Sequence, residues 1–240
     1  MKKLLLAIFA VVLISLFIFV NIDQKKAYVS ITFDDGLASQ YGAAKILENY
    51  GWQGTFYVPS GLTVFENRSL MTFTQLQDLQ AKYHEIGTHS ATHIKASTSS
   101  LEEYEQNIIN GKKILQENNL SAENFAYPYG DFSKLGAIET HFKSGRTVVA
   151  SINKIPPENV YELKGLPLVH LNNEYKVLEN YLADLEKNGG WLIIVLHGVD
   201  FDENVERQDV DVTEKEFIWI LEQVKKSGAD VKTVHDALII

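Results

Sequence analysis

Two adjacent carboxylates, Asp34 and Asp35, lie at the end of the stretch "SITFDDG" at residues 30–36. Ile31 and Phe33 alternate with small polar residues, which is typical of a short β-strand. Neighbouring carboxylates repel each other, so each raises the pKa of the other. A strand that ends in two acids and a glycine is therefore either a turn, for which these residue types are common, or a site that uses both acids.

His89 and His93 lie four residues apart in the stretch "THSATH". On a helical turn this spacing points both imidazoles in one direction, which is the arrangement that binds a divalent metal. The pattern alone is weak, because a pair of surface or N-cap histidines also shows it. Its place after a predicted strand, together with the acid pair, favours a metal site. With Asp35 as third ligand, Asp34 is free to act as general base on a water whose pKa the metal lowers.

A further candidate, His197, follows the apolar run "WLIIVL". A lone histidine after a core strand is often structural. A histidine with a pKa near neutrality can also give a proton to a leaving amine, so both roles stay open.

Short apolar runs alternate with amphipathic stretches and are expected to position these residues. The predicted strands are residues 28–33, 55–58, 85–88, 124–127, 146–152, 166–171, 191–196 and 230–234. The predicted helices lie within residues 37–51, 72–83, 101–119 and 211–228. Thr213 and Glu216 are predicted to form a capping box at the start of the last helix. Strands that alternate with helices indicate parallel pairing, and seven or eight such units favour an α/β fold of the (β/α) barrel type over an open doubly wound sheet.

Functional sites in such folds gather at the carboxyl ends of the strands. Asp34, His89, Tyr129 and His197 each follow a different predicted strand. We therefore expect these strand ends to meet at one mouth of the fold.

The composition excludes several classes of site and partner. A chain of 240 residues is long enough for one domain with a sizeable core. A net charge of −9 without a basic patch argues against a nucleic-acid partner. The absence of cysteine excludes disulfides, thiolate nucleophiles and zinc–thiolate sites, so any metal must be held by His, Asp or Glu.

The N-terminus carries an apolar stretch, residues 4–20, in which only Ser15 is polar and which follows Lys2 and Lys3. Its length is at the short limit for a membrane-spanning helix and exceeds a usual signal-peptide core. No small-residue cleavage pattern follows, so residues 1–26 are predicted to be an uncleaved hydrophobic anchor helix with an exported domain at residues 27–240. Lys2 and Lys3 favour a cytoplasmic N-terminus and an exported remainder, although the lysines at positions 25 and 26 on the other flank weaken this orientation. A cleaved signal and a secreted protein are the alternative.

Four motifs in this order, "TFDDG", "HEIGTHSATH", "YPYG" and "LHG", resemble those of the polysaccharide deacetylases of carbohydrate esterase family 4, the NodB-homology group. The resemblance covers residues 28–237. It implies a distorted (β/α) barrel that removes acetyl groups from N-acetylglucosamine polymers, or less often O-acetyl groups from xylan. It also implies zinc or a similar divalent metal as cofactor.

The resemblance also implies roles for individual residues. Asp34 would be the general base and His197 the general acid. The backbone N–H of Tyr129 would stabilise the oxyanion. The implied metal ligands are Asp35, His89 and His93.

The sequence departs from the family pattern at two motifs. An arginine usually lies two residues before the proline of the third motif, where it orients the base, but Ala126 occupies this position. Arg146 could replace it, or Asp131 could contribute, and a surface or structural role is the alternative for each. The fourth motif, an aspartate with a tryptophan that tunes the acid histidine, is not evident.

The resulting prediction is a membrane-anchored, extracytoplasmic, metal-dependent deacetylase whose partner is an N-acetylglucosamine-containing polysaccharide or oligosaccharide. Zinc is the expected metal, although two imidazoles and a carboxylate suit several divalent ions. The alternatives are a catalytically weak glycan-binding protein and an enzyme that cleaves O-acetyl esters or a small-molecule amide.

Overall fold

A barrel of parallel strands forms the centre of the protein, for which the computed structural model describes residues 25–169, 175–201 and 210–239. Seven strands make its wall: β1 (Ala27–Phe33), β2 (Thr55–Val58), β5 (Glu85–Thr88), β6 (Asn124–Ala126), β7 (Ser144–Arg146), β8 (Gly165–Pro167) and β9 (Gly190–Leu196). Their order around the wall is β7-β6-β5-β2-β1-β9-β8. The prediction of a distorted (β/α) barrel is therefore confirmed.

The barrel nearly closes between β7 and the segment that leads into β8. The N–H of Leu163 donates to the carbonyl of Gly145 at 2.9 Å, and the N–H of Thr147 donates to the carbonyl of Leu163 at 2.8 Å. The short strand β12 (Asp230–Val231) pairs with the first half of β1, whereas β2 pairs with its end.

Seven described helices surround the wall. They are α1 (Ser39–Asn49), α2 (Phe73–Ala81), α3 (Leu101–Glu117), α4 (Leu135–His141), α5 (Tyr175–Asn188), α6 (Glu214–Ser227) and α7 (Val234–Leu238). Local sequence explains the bounds of α6: Thr213 and Glu216 form the predicted capping box, and Gly228 ends the helix in the left-handed conformation. The aromatic core joins β1, β2 and α6, because the Phe33 ring stacks on Phe56 at 4.8 Å and meets the Phe217 ring at 5.8 Å.

Two small strand pairs lie at the carboxyl ends of the barrel strands. The antiparallel pair β3 (Val64–Phe65) and β4 (Arg68–Ser69) adjoins the loop after β1, where the N–H of Ala38 donates to the carbonyl of Ser69 at 2.9 Å. The parallel pair β10 (Val199–Asp200) and β11 (Val212–Thr213) follows β9.

Three predicted strands have wrong bounds. The run 146–152 is a strand only at Arg146, because Leu163 pairs beside β7 and the chain leaves the wall after residue 147 to pair Asn153 with Trp191. The strand predicted at 230–234 ends at residue 231, since Thr233 caps α7. In the run 166–171 the strand covers Gly165–Pro167, and residue 171 lies outside the described residues.

The predicted N-terminal hydrophobic helix, residues 4–20, also lies outside the described residues. Among the helices that the structure describes, none is long and apolar enough to cross a membrane.

Candidate active site

Asp35, His89 and His93 meet at the mouth of the barrel as a group that can hold a divalent cation. One possible ligand atom of each lies within 4.8 Å of the others. The Asp35 Oδ1 atom is 3.6 Å from Nε2 of His89 and 3.3 Å from Nε2 of His93. This oxygen is buried and has no hydrogen-bond partner among the described residues. An unsatisfied buried carboxylate oxygen facing two imidazole nitrogens fits a bound divalent metal.

Backbone geometry and a second contact orient these ligands. Asp35 has a φ of 72°, and the following Gly36 has a φ of 65°. The Nδ1 atom of His89 lies 2.8 Å from the carbonyl oxygen of Ala126. An Nδ1–H that donates to this carbonyl leaves the lone pair of Nε2 directed at Asp35, which is the tautomer that a metal requires.

The prediction that His89 and His93 share a helical turn is wrong. Residues 89–93 form a non-helical turn in which Ser90 has a φ of 63° and His93 a φ of 57°. The imidazoles still converge, because their ring centroids lie 4.7 Å apart. The His93 ring also contacts Phe65 on β3 and Tyr129, at centroid distances of 4.6 Å and 4.5 Å.

The electrostatics of the three ligands favour a cation between them. Burial, together with the charge of Asp34, raises the pKa of Asp35 to about 7. Burial lowers the pKa of His89 to about 4. Burial and the neighbouring His89 lower the pKa of His93 to about 3. Both imidazoles are therefore neutral at pH 7, which is the form that binds metal.

Asp34 is held in its charged form by Arg146, which lies at the end of β7 and is fully buried. The Nη2 atom of Arg146 donates to Oδ1 of Asp34. Burial acts to raise the pKa of Asp34, but the Arg146 guanidinium, with His89 and His197, more than offsets this effect and holds the pKa below its ordinary value. The contact proposed for Arg146 on the sequence is present.

Asp131 does not contact Asp34 through its carboxylate. Its oxygens accept hydrogen bonds from the backbone N–H groups of Ser97 at 2.7 Å and Ser133 at 3.1 Å. The alternative that Asp131 orients the base is therefore not supported, and its carboxylate ties two loops together.

His197 follows β9 directly beside the end of β1. The register pairs Phe33 with Leu196, and the side-chain amide of Gln40 donates both to the carbonyl of Asp34 and, at 3.2 Å, to that of His197. Burial lowers the pKa of His197, while the Asp34 carboxylate acts in the opposite direction.

Arg68 and Asp211 are site-adjacent residues that the sequence reasoning missed. The Nη1 atom of Arg68 lies 3.0 Å and 2.7 Å from the two carboxylate oxygens of Asp211. Asp211 also accepts a hydrogen bond at 2.8 Å from the N–H of Gly198, next to His197. Arg68 belongs to β4 and Asp211 directly precedes β11, so the pattern of barrel strand ends could not have identified them.

Tyr129 lies beside the metal-ligand candidates, as the sequence predicted. It belongs to a short 3₁₀ turn, Pro128–Gly130, and has a φ of 60°. Its ring meets the His93 ring at an interplanar angle of 67°. The structure thus brings together Asp34, Asp35, His89, His93, Tyr129 and His197 at one end of the barrel.

Comparison with known proteins agrees with this arrangement. A family model described as "Polysaccharide deacetylase" matches residues 21–140, which is half of the chain. The chain belongs to the polysaccharide deacetylase family. The matched part contains the metal-ligand candidates and Asp34, whereas Arg146 and His197 lie beyond it.

One relative is the peptidoglycan-N-acetylglucosamine deacetylase of Bacillus cereus. It is 27% identical over 221 residues, which cover 91% of each chain. Among solved structures, a Xyl-CE4 domain of a multidomain xylanase from the hindgut metagenome of Trinervitermes trinervoides aligns with a TM-score of 0.56 and 20% identity, over 88% of this chain and 89% of that one.

A CE4-family pseudoenzyme from Bacillus anthracis has the same fold. It aligns with a TM-score of 0.55 and 16% identity, over 90% of this chain and 66% of that chain. The family fold therefore does not establish turnover, and activity depends on the residues of the site.

Proposed function

We propose that this polysaccharide deacetylase is a metal-dependent hydrolase that removes acetyl groups from an N-acetylglucosamine-containing polysaccharide outside the cytoplasm. The observation that supports this proposal is the pairing of a three-residue metal-ligand group with a separate carboxylate, Asp34, that Arg146 keeps charged. This pairing answers why two adjacent acids end β1: one holds the metal, and the other accepts a proton.

Asp35, His89 and His93 would hold the metal, for which zinc is our proposal. When bound, a divalent metal polarises the acetyl carbonyl and lowers the pKa of water. The neutral imidazoles and the carboxylate suit this role because they supply two nitrogen ligands and one negatively charged oxygen.

Asp34 would accept the proton of the attacking water. The Arg146 guanidinium prevents its protonation at neutral pH, because it stabilises the carboxylate inside the barrel. The backbone N–H of Tyr129 would donate a hydrogen bond to the oxyanion that develops at the carbonyl oxygen of the acetyl group.

His197 would give a proton to the leaving nitrogen. An amide leaves only as an amine, so its nitrogen must be protonated as the C–N bond breaks. The lowered pKa of His197 makes its protonated form a strong donor. A general acid at this position favours an N-acetyl substrate, because the oxygen of an ester depends less on protonation to leave.

The substrate class is supported by the name of the Bacillus cereus relative, a peptidoglycan-N-acetylglucosamine deacetylase. The apolar residues 4–20 support an anchored protein whose catalytic domain lies outside the cytoplasm. Fractionation of cells and protease treatment of intact cells would test this location. Recovery of the full-length protein in the soluble cytoplasmic fraction would contradict it.

Acetate release by the full-length protein in detergent tests the activity. N-acetylglucosamine oligomers and O-acetylated xylan would be compared, each with and without a chelator and zinc replacement, beside an Asp34→Asn variant. We expect zinc-dependent release from the N-acetylated oligomers that Asp34→Asn abolishes. Release from xylan alone would favour an O-acetyl esterase, and no release with retained oligomer binding would favour a glycan-binding protein.

A further inference from the structure

The turn that carries His89 and His93 has a backbone conformation that needs support from the rest of the protein. Ser90 has a φ of 63° and His93 a φ of 57°. A left-handed conformation at a residue other than glycine is unfavourable and persists only where the surrounding structure imposes it. The geometry of the candidate metal site therefore depends on the contacts that fix residues 89–93.

The loop after β2 fixes one side of this turn through its backbone. The N–H of Ser60 donates to the carbonyl of Ser90 at 3.3 Å, and the N–H of Gly61 donates to the carbonyl of Ala91 at 2.8 Å. These two bonds satisfy carbonyl groups of the turn. They leave its N–H groups in need of acceptors from another element.

Asn107, on α3, binds two of those N–H groups with a single side-chain oxygen. Its Oδ1 atom accepts from the N–H of Ala91 at 3.0 Å and from the N–H of Thr92 at 3.3 Å. Its Nδ2 atom donates to the hydroxyl oxygen of Thr92 at 2.8 Å. These contacts define the orientation of the amide, because a backbone N–H requires an acceptor. Asn107 thus holds the two residues that directly precede His93.

The helix can approach the turn this closely because Gly111 lies one helical turn after Asn107. A Cβ atom at Gly111 would lie 2.6 Å from the carbonyl carbon of Ser90 and 2.7 Å from the nitrogen of Ala91. The carbonyl of Gly111 also accepts a hydrogen bond from the hydroxyl of Ser60 at 2.8 Å. Residues four apart lie on the same face of a helix, so Asn107 and Gly111 together form the face of α3 that packs on the metal-ligand turn.

We propose that Asn107 is a positioning residue that sets the zinc affinity of the site by holding His93 toward Asp35. Its hydrogen bonds go to the residues before His93, so it would act on the metal through the path of the turn. Removing a group that orients a metal ligand typically costs about 10- to 100-fold in metal affinity. This inference rests on the proposed function, because zinc is the metal that we propose for the site.

Asn110 provides a matched control for the test. It lies three residues after Asn107 on the same helix, and its side chain is exposed. Replacing either asparagine with alanine makes the same chemical change and the same change in helix propensity. The comparison therefore isolates the contacts between Asn107 and the turn.

Zinc affinity would be measured on the full-length protein in detergent by competition with a coloured chelator. We expect Asn107→Ala to weaken zinc binding by about 10-fold, the lower end of the range for a group that orients a ligand, because the N–H of the buried Ala91 loses its partner. Asn107→Asp should retain most of the affinity, since a carboxylate accepts the same two N–H bonds. Asn110→Ala should leave the affinity unchanged.

Thr92→Val tests the same contact from the turn. It removes the hydroxyl to which Asn107 donates, at an exposed position, and should weaken zinc binding by a smaller factor than Asn107→Ala. If Asn107→Ala does not fold, an unchanged affinity in Thr92→Val would overturn the proposal.

Urea denaturation of the metal-free variants separates folding from metal binding. A purely structural role for Asn107 would lower the unfolding free energy without changing the zinc affinity of the folded protein. Wild-type zinc affinity in Asn107→Ala, an equal loss in Asn110→Ala, or a loss in Asn107→Asp as large as in Asn107→Ala would each overturn the proposal.

The failure of this inference can be told apart from failure of the proposed function, because zinc affinity is measured without substrate. Acetate release with a zinc affinity that does not depend on Asn107 would support the deacetylase and exclude the positioning role. Zinc binding that depends on Asn107 without any acetate release would support the positioning role and exclude the deacetylase. A wild-type protein that binds no zinc would exclude both.

Discussion

Replacing Arg146 with methionine tests the link between the buried ion pair and catalysis. Arg146 is fully buried, donates to Asp34, and lies with its guanidinium carbon 5.2 Å from the Tyr57 ring. Methionine keeps an unbranched side chain of similar length but removes the charge. The Asp34 carboxylate then remains buried without its partner, which costs about 3–5 kcal/mol of unfolding free energy when a buried pair is broken.

The unfolding free energy lost in Arg146→Met should increase as the pH rises. In the wild type the pKa of Asp34 lies below its ordinary value of 3.8, so its contribution to stability is present above that pH and is lost as the pH falls through the folded-state value. Without Arg146, burial raises the folded-state pKa above the ordinary value. The folded variant then binds the proton more tightly than the unfolded chain, so its stability falls as the pH rises from 3.8 toward neutrality.

Urea denaturation of metal-loaded wild type and Arg146→Met at several pH values between about 4 and 8 measures this dependence. The gap in unfolding free energy should widen as the pH rises. The acid limb of the kcat profile should move to higher pH, and kcat at pH 7 should fall by about 100-fold or more, the lower end of what a general base contributes. Arg146→Lys, which keeps a positive charge, should lose less.

A stability gap that does not change with pH, together with a kcat profile that superimposes on that of the wild type, would refute this reasoning. Arg146 would then be a packing residue whose charge has no effect on Asp34.

Four further substitutions test other parts of the structure. His93→Ala should reduce zinc affinity, measured by competition with a coloured chelator. The reduction should exceed the about 10- to 100-fold that is lost when a residue hydrogen-bonded to a metal ligand is removed. An unchanged affinity would exclude His93 as a ligand. His197→Gln should lower kcat by about 100- to 10,000-fold with zinc affinity retained, and a wild-type kcat would remove it as the proton donor. Gly87→Ala should cost about 1–3 kcal/mol in urea denaturation, because its new methyl group would lie 2.5 Å from the Tyr57 ring; no loss would mean that this ring can move aside. Thr213→Ala should cost about 1 kcal/mol through loss of the α6 cap with kcat unchanged, and equal melting temperatures would show that the cap contributes nothing.

The gathering of the site residues at one end of the barrel could be predicted from the sequence, because parallel strands end at the same edge of the sheet. Asp34, His89, Tyr129 and His197 follow four different strands, and the barrel brings these ends together. Alternating strands and helices are a local pattern, so the fold and the ligand group could be predicted without knowing which strand lies beside which.

Contacts between distant segments could not be predicted in the same way. Asp34 and Arg146 are 112 residues apart, and only a departure from the family motif drew attention to Arg146. Arg68 and Asp211 are 143 residues apart; Arg68 lies in the two-residue strand β4 and Asp211 directly before the two-residue strand β11, and strands this short have no periodic signal. The non-helical turn between His89 and His93 was missed because left-handed backbone at Ser90 and His93 is set by surrounding packing.

The direction of β1 has a consequence for where the protein can work. This strand starts at Ala27 and ends at Phe33, immediately before Asp34, so the catalytic mouth lies about 23 Å from the start of the strand, the length of seven extended residues. With the anchor that we propose at residues 4–20, the six residues 21–26 reach at most about 20 Å. With this anchor, the proposed active site would lie no more than about 45 Å from the outer end of the membrane-spanning helix, so only polysaccharide within that distance of the membrane would be deacetylated.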